Sequence, residues 1–155
     1  MKWKVPHVSK VYEALGCLAD NRLRIENGEV KVYSSSGNKF YNINYSEKEN
    51  AIMCNDNNSY FNGSLGYPSI AYLMHIGKIK FNSKFSEALK GIKWKDLNQK
   101  FKNNFDLTIE HIKNGLLLKG MNLKELDAEI NSVFDQIKKL DINLLGEKTK
   151  PPKGY

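Results

Sequence analysis

"CNDNNSYFNGSLGYPSIAYLMHIGKI", residues 54–79, is the stretch in which the sequence passes from strand periodicity to helix periodicity. Before it, apolar and polar residues alternate, as in "KFYNINY". After Gly66 the apolar residues recur at helical spacing, beginning with Ile70 and Leu73. Pro68 stands where the first turn of a helix tolerates a proline. The stretch therefore predicts a strand, a polar loop and a helix in succession, and it divides a sheet from a group of helices.

The residues before this stretch predict one helix and an antiparallel meander. A helix over residues 9–19 carries an apolar stripe, and Ser9 is its expected N-cap. The strands of "RLRIENGEVKVYSS" flank Asn27 and Gly28, which are typical of a two-residue hairpin turn. "KFYNINY" and "AIMCN" supply the next two strands. The short turns between the strands favour pairing of sequence neighbours.

The residues after the stretch predict three further helices. A short helix covers about residues 83–89, and a longer one begins near Trp94 and continues through Ile112. Asn122 is the expected N-cap of the last helix, which runs to Leu140 with a heptad-like apolar seam. The last two helices should form an antiparallel hairpin.

These elements predict an α+β fold with an N-terminal helix, a small antiparallel sheet meander with a ββα unit, and a C-terminal helical hairpin. We expect an α+β core over residues 1–80, a helical region packed on it over 81–143, and a flexible basic tail over 144–155. Hydrophobic residues at 41% and charged residues at 26% are typical of a globular protein rather than a disordered one. No apolar run suits a membrane span or a signal peptide, so we expect a cytoplasmic protein with no membrane partner.

The strands and the helix around the polar loop resemble the SWIM-type ββα zinc domain over about residues 30–79. They are the pair "VKVYSSSGNKFYNINY", the strand "AIMCNDNN" and the helix "YPSIAYLMHIGKI". The family's Cys-x-Cys falls here on Ile52 and Cys54, and its Cys-x-His falls on Tyr67 and Ser69. Only Cys54 is a possible ligand, so we assign no metal ligands and expect no cofactor. The resemblance implies a module for interaction with nucleic acids or proteins.

Positive charge is concentrated in one segment of a chain whose net charge is +7. Between residues 78 and 102, eight lysines face two acids. The predicted nucleic-acid-binding residues are Lys78, Lys80, Lys84, Lys90, Lys93, Lys95, Lys100 and Lys102. Lysines neutralise backbone phosphates, and exposed aromatic residues can stack on bases. The same pattern is also typical of a solvated helix face.

The polar loop is the second candidate site. Its polar and aromatic residues, which could contact a small ligand at the sheet edge, are Asn55, Asp56, Asn58, Tyr60 and Tyr67. Residues of these types also form ordinary turns. Asp56 has no second acid or histidine near it in sequence, so we assign no catalytic residue.

The leading hypothesis is a non-enzymatic basic protein, either nucleic-acid-associated or an adaptor module, that contacts the phosphate backbone of DNA or RNA. One alternative is a protein-interaction module that binds a protein partner or forms a homodimer through its C-terminal helices. A second alternative is an enzyme with a site in loop 55–67.

Overall fold

The computed structural model describes residues 1–153 and places the predicted strands in one five-stranded sheet. Its antiparallel strands are β1 (Leu23–Glu26), β2 (Glu29–Tyr33), β3 (Phe40–Ser46) and β4 (Ala51–Cys54). A fifth strand, β5 (Asn143–Leu144), joins the sheet parallel to β4. The α+β class predicted from the sequence is confirmed, and the sheet has one strand more than the sequence indicated.

The first hairpin has the turn that its sequence predicts. Asn27 and Gly28 have φ angles of 52° and 78°, the left-handed backbone that a two-residue hairpin turn of this kind requires. The register that follows pairs Leu23 with Val32. This pairing places the apolar residues of both strands on the same face of the sheet.

Helices cover that face of the sheet and pack on one another. They are α1 (Ser9–Ala19), α2 (Tyr67–His75), α3 (Ser83–Ala88), α4 (Trp94–Lys100), α5 (Phe105–Leu118) and α6 (Leu123–Lys139). A π-helical turn, Asn58–Asn62, lies between β4 and α2 and is called the π-turn below. One apolar cluster joins Ile52 of the sheet to Leu15 of α1, Leu73 of α2 and Leu126 of α6.

α1 is the central helix, because it contacts α2, α3, α5 and α6. Val11 and Leu15 are fully buried in it. Ser9, the predicted N-cap, is instead the first helical residue, and the helix is preceded by Val8. The Nδ1 atom of His7 accepts the hydrogen bond from the Ser9 backbone N–H, at 3.0 Å, which takes the place of a serine cap.

The helix predicted to begin near Trp94 is interrupted over residues 101–104, so the prediction of one continuous helix was wrong. Lys102 and Asn103 have left-handed backbone conformations, with φ of 52° and 61°. The side chain of Asn104 then accepts a backbone hydrogen bond in the first turn of α5. The apolar spacing continues through the break, whereas the left-handed residues prevent α4 from continuing and the Asn104 cap begins α5.

α5 and α6 form the predicted helical hairpin, and Asn122 is confirmed as the N-cap of α6. Its Oδ1 accepts hydrogen bonds from the backbone N–H groups of Lys124 and Glu125. The apolar seam of α6, formed by Leu126, Ile130, Val133 and Ile137, is buried within the chain. A dimer formed through this seam would therefore have to displace α6 from the monomer's own core.

The chain returns to the sheet after α6. Leu144 pairs with Ile52, and the backbone N–H of Leu145 donates to the Ile52 carbonyl. The Nζ atom of Lys148 donates to the carbonyl of Tyr60 at 3.1 Å. The tail predicted from residue 144 thus begins with residues that pair with the sheet. The sequence did not predict this strand, because two residues are too few to show a periodicity. Residues 154 and 155 of that tail lie outside the described residues.

Gly115 offers a test of the packing of α5. A Cβ atom built at this position meets no atom within 4 Å. Gly115→Ala should raise the free energy of unfolding by about 0.5–1 kcal/mol, because alanine avoids the entropic cost of glycine inside a helix. Urea denaturation followed by circular dichroism measures the change. A loss of stability would contradict the open environment of Gly115.

Candidate functional site

A cavity of about 550 Å³, lined by charged, amide and aromatic residues, opens between α1, the β2–β3 turn, the π-turn and α4. This volume lies within the range of about 300–1,000 Å³ that is typical of small-molecule sites. Its charged lining residues are Lys10, Glu13, Arg22, Lys39, Asp56 and Lys95. Its amide and aromatic lining residues are Tyr41, Asn57, Asn58, Phe61, Asn62, Tyr67, Trp94, Asn98, Gln99, Asn103 and Phe105.

α1 supplies a buried ion pair to this cavity. Lys10 and Glu13 are three residues apart, so they share one face of the helix. The Lys10 Nζ atom donates to Glu13 Oε2 at 2.8 Å, and Nζ also lies 4.3 Å from the centroid of the Phe105 ring. The other carboxylate oxygen of Glu13 accepts from Asn98 Nδ2 at 3.1 Å. Residues from α4 and α5 therefore hold the pair in place.

Arg22 places a guanidinium beside the same cavity, with 7% of the residue exposed. Its Nη1 atom donates to the Tyr33 carbonyl at 3.0 Å and lies 3.4 Å from Tyr67 Oη. Nε lies 3.5 Å from a carboxylate oxygen of Asp20. Within residues 1–153, the buried Nη2 atom has no hydrogen-bond acceptor, and the carboxylate of Asp20 is the only partner of Nε. Arg22 thus retains a buried donor that the protein itself does not satisfy.

Asp56 fixes the π-turn against the start of α2. Its carboxylate accepts from Ser59 Oγ at 2.5 Å and from the Ser59 backbone N–H at 3.2 Å. Gly66 lies so close to this carboxylate that a Cβ atom at residue 66 would overlap it. Burial raises the pKa of Asp56, although the hydrogen bonds from Ser59 partly oppose the shift. Asp56 therefore positions one wall of the cavity.

Three of the five predicted loop residues line the cavity, namely Asp56, Asn58 and Tyr67. Asn58 is engaged locally, because its Nδ2 donates to the Leu65 carbonyl at 3.0 Å. Asn55 instead accepts a hydrogen bond from the backbone of β3 at 2.8 Å. The ring of Tyr60 packs edge-on against the neighbouring phenylalanine. The loop thus contributes part of a site rather than a complete one.

The eight predicted lysines lie in different surroundings in the structure. Lys78 is 2.9 Å from a carboxylate oxygen of Glu47, at the β3–β4 turn. Lys84 is 3.5 Å from a carboxylate oxygen of Glu125, at the start of α6. Lys95 lines the cavity. The other five are exposed outside the cavity lining: Lys80, Lys90, Lys93, Lys100 and Lys102.

Sequence reasoning missed Lys10, Glu13 and Arg22. A lysine and a glutamate three residues apart are common on exposed helices, so their spacing does not indicate burial. Arg22 offered a stronger signal, because it is one of only two arginines in a lysine-rich chain. Arginine is preferred to lysine where a planar group with several donors is needed.

No metal-binding cluster is present in the described part of the chain, where no group of three or more His, Cys, Asp or Glu residues is placed to hold a metal ion. Cys54, the possible ligand in the SWIM-type resemblance, is buried, and burial raises the pKa of its thiol well above the usual value. The resemblance to SWIM-type domains stays a prediction.

Fold and cavity together define an α+β protein with a charged cavity of small-molecule size. The chain belongs to the family described as uncharacterised conserved protein UCP014422, whose model matches residues 3–143. Every residue that lines the cavity lies inside the matched range. No curated protein and no solved structure matches the chain. Among the helices of residues 1–153, none has the length and apolar character needed to cross a membrane.

The contact between Asp56 and Gly66 predicts a coupled pair of substitutions. Gly66→Ala should lower the free energy of unfolding by about 1–3 kcal/mol, because the new methyl group overlaps the buried carboxylate. In an Asp56→Ala background the same change should cost much less. Urea denaturation of the wild type, the two single variants and the double variant measures the coupling between residues 56 and 66. Equal costs of Gly66→Ala in both backgrounds would show that the carboxylate is not what excludes a side chain there.

The raised pKa of Asp56 predicts a dependence of stability on pH. Burial favours the protonated form of the Asp56 carboxyl. The contribution of this protonated carboxyl to stability is fully present below the ordinary pKa of 3.8, and it is lost as pH rises through the higher pKa of the folded state. The stability of the wild type relative to Asp56→Asn should therefore fall as pH rises from below 3.8 towards neutrality. Urea denaturation of both proteins across this range tests the sign. An increase with pH in the stability of the wild type relative to Asp56→Asn would contradict the predicted sign.

Proposed function

We propose that this protein binds a small anionic ligand, bearing a phosphate or a carboxylate, in the cavity between α1, the π-turn and α4. The observation that carries the proposal is Arg22, whose buried Nη2 atom has no acceptor within residues 1–153 and whose Nε atom has only the Asp20 carboxylate, 3.5 Å away. The planar guanidinium matches the oxygens of a phosphate or carboxylate with two parallel hydrogen bonds. Both nitrogens are shielded from solvent, so binding requires the side chain to turn towards the cavity.

The charges that line the cavity favour the same class of ligand. Four cationic and two acidic side chains line the cavity. The acids are already engaged, Glu13 by Lys10 and Asn98, and Asp56 by Ser59. A cavity with an excess of one charge concentrates ligands of the opposite charge. The engagement of Asp56 by Ser59 also favours binding over an acid–base reaction in loop 55–67.

A second candidate function is the contact with nucleic-acid phosphates that the sequence predicted. It is favoured by four exposed lysines around α4, which are Lys90, Lys93, Lys100 and Lys102. Within the residues that the structure describes, none of these four has an acid within ion-pair distance. Uncompensated lysines of this kind can neutralise phosphates and release counterions.

Titration with inorganic phosphate, followed by calorimetry and amide chemical shifts at constant ionic strength, tests the cavity. The wild type should bind, with shifts centred on the residues around Arg22. Lys39→Gln/Lys95→Gln should weaken binding about tenfold or more, because charge-assisted hydrogen bonds are each worth about 1.5–3 kcal/mol. Lys90→Gln/Lys93→Gln removes the same charge outside the cavity and should bind as the wild type does.

The two candidate functions give different results in this comparison. Equal losses of phosphate affinity in both double variants would contradict binding in the cavity, because lysines outside it would then contribute as much as those that line it. Absence of binding to phosphate and to acetate at millimolar concentrations would overturn the proposed function. Salt-sensitive binding of a nucleic-acid strand that is lost only in Lys90→Gln/Lys93→Gln would favour the second candidate.

A further inference from the structure

The cavity has a second kind of lining that an anion alone does not need. Phe61 lies at its mouth on the π-turn and is 70% exposed. The turn that carries Phe61 is fixed by the bonds between Asp56 and Ser59. The ring of Tyr60 packs against Phe61 with a centroid distance of 5.0 Å and an interplanar angle of 84°. Phe61 is thus a positioned aromatic surface at the mouth of a charged cavity.

Side-chain amides also line the cavity. Asn57 comes from the loop before the π-turn, Gln99 from α4, and Asn103 from the break between α4 and α5. All three residues are exposed, so their side-chain amides are accessible to a ligand. An amide offers both a donor and an acceptor, which is the pattern that the edge of a nucleobase presents.

We infer that the ligand of this cavity is a nucleotide, with its phosphate held by Arg22 and the lysines and its base stacked on Phe61. This inference rests on the proposed function, since it assigns a ligand class to the same cavity. Cations alone fit any small anion, a sugar phosphate included. Base stacking on an aromatic side chain adds affinity for a ligand that carries a base. The shared chemistry is a base with a phosphate, supplied by a free nucleotide or by the phosphorylated end of a strand.

Calorimetric titration with adenosine monophosphate, ribose phosphate and inorganic phosphate tests the base subsite. The wild type should bind adenosine monophosphate about tenfold or more tightly than ribose phosphate, which is the order of magnitude expected for stacking of one base. Phe61→Ala should remove this preference and leave ribose phosphate binding unchanged. Phe61→Tyr should restore it. Phe40→Ala, which removes an exposed phenylalanine of β3 that does not line this cavity, should keep the preference.

The outcomes separate this inference from the proposed function. Equal affinities for adenosine monophosphate and ribose phosphate would overturn the nucleotide and leave the anion site intact. A preference that survives Phe61→Ala would overturn the stacking surface. Failure of all three ligands to bind would overturn the anion site as well. A phosphorylated oligonucleotide that binds more tightly than adenosine monophosphate, with the same loss in Phe61→Ala, would support the base subsite and identify the strand end as its source.

Discussion

The close approach between the Asp56 carboxylate and the Gly66 backbone is the constraint on which the site depends. β4 ends two residues before Asp56, and α2 begins one residue after Gly66, so this contact joins the sheet to the helices. Ser59 donates to the carboxylate from inside the π-turn, which fixes the turn to the same point. A larger residue than glycine at 66 would separate these elements. The wall that carries Phe61 would then lose its position relative to Arg22.

A second constraint is the burial of charge on a helix that otherwise forms the centre of the core. α1 places Lys10 and Glu13 in the same buried helix as Val11 and Leu15. Burying an ion pair costs desolvation that the attraction between its partners seldom exceeds, so apolar residues would stabilise such a position at least as well. Proteins tend to depart from local rules of this kind where a site requires it. The pair, the unsatisfied Nη2 donor of Arg22 and the cavity lie together, and this coincidence favours binding over a purely structural role.

The parts of the fold that were predictable from the sequence depend on local interactions. Asn27 and Gly28 determine their turn within four residues, and Asn122 caps α6 through the two N–H groups that follow it. The parts that were not predictable depend on residues far apart in sequence. β5 is two residues long and becomes a strand only because β4 accepts it. The cavity was not predictable either, because Arg22 contacts Tyr33 and Tyr67 only in the folded chain.

The lysine segment shows how a short helix divides one run of charge between two surfaces. Trp94 is buried at the start of α4, and a Cβ atom at Gly16 of α1 would lie 3.0 Å from its Nε1 atom. The close packing of the Trp94 ring on Gly16 sets the rotation of α4 about its axis. Lys95 and Gln99, four residues apart, then share the face that lines the cavity, while Lys93 and Lys100 fall outside it. The sequence presents these lysines as one basic segment. The packing of one tryptophan places Lys95 in the cavity lining and the other two on the protein surface.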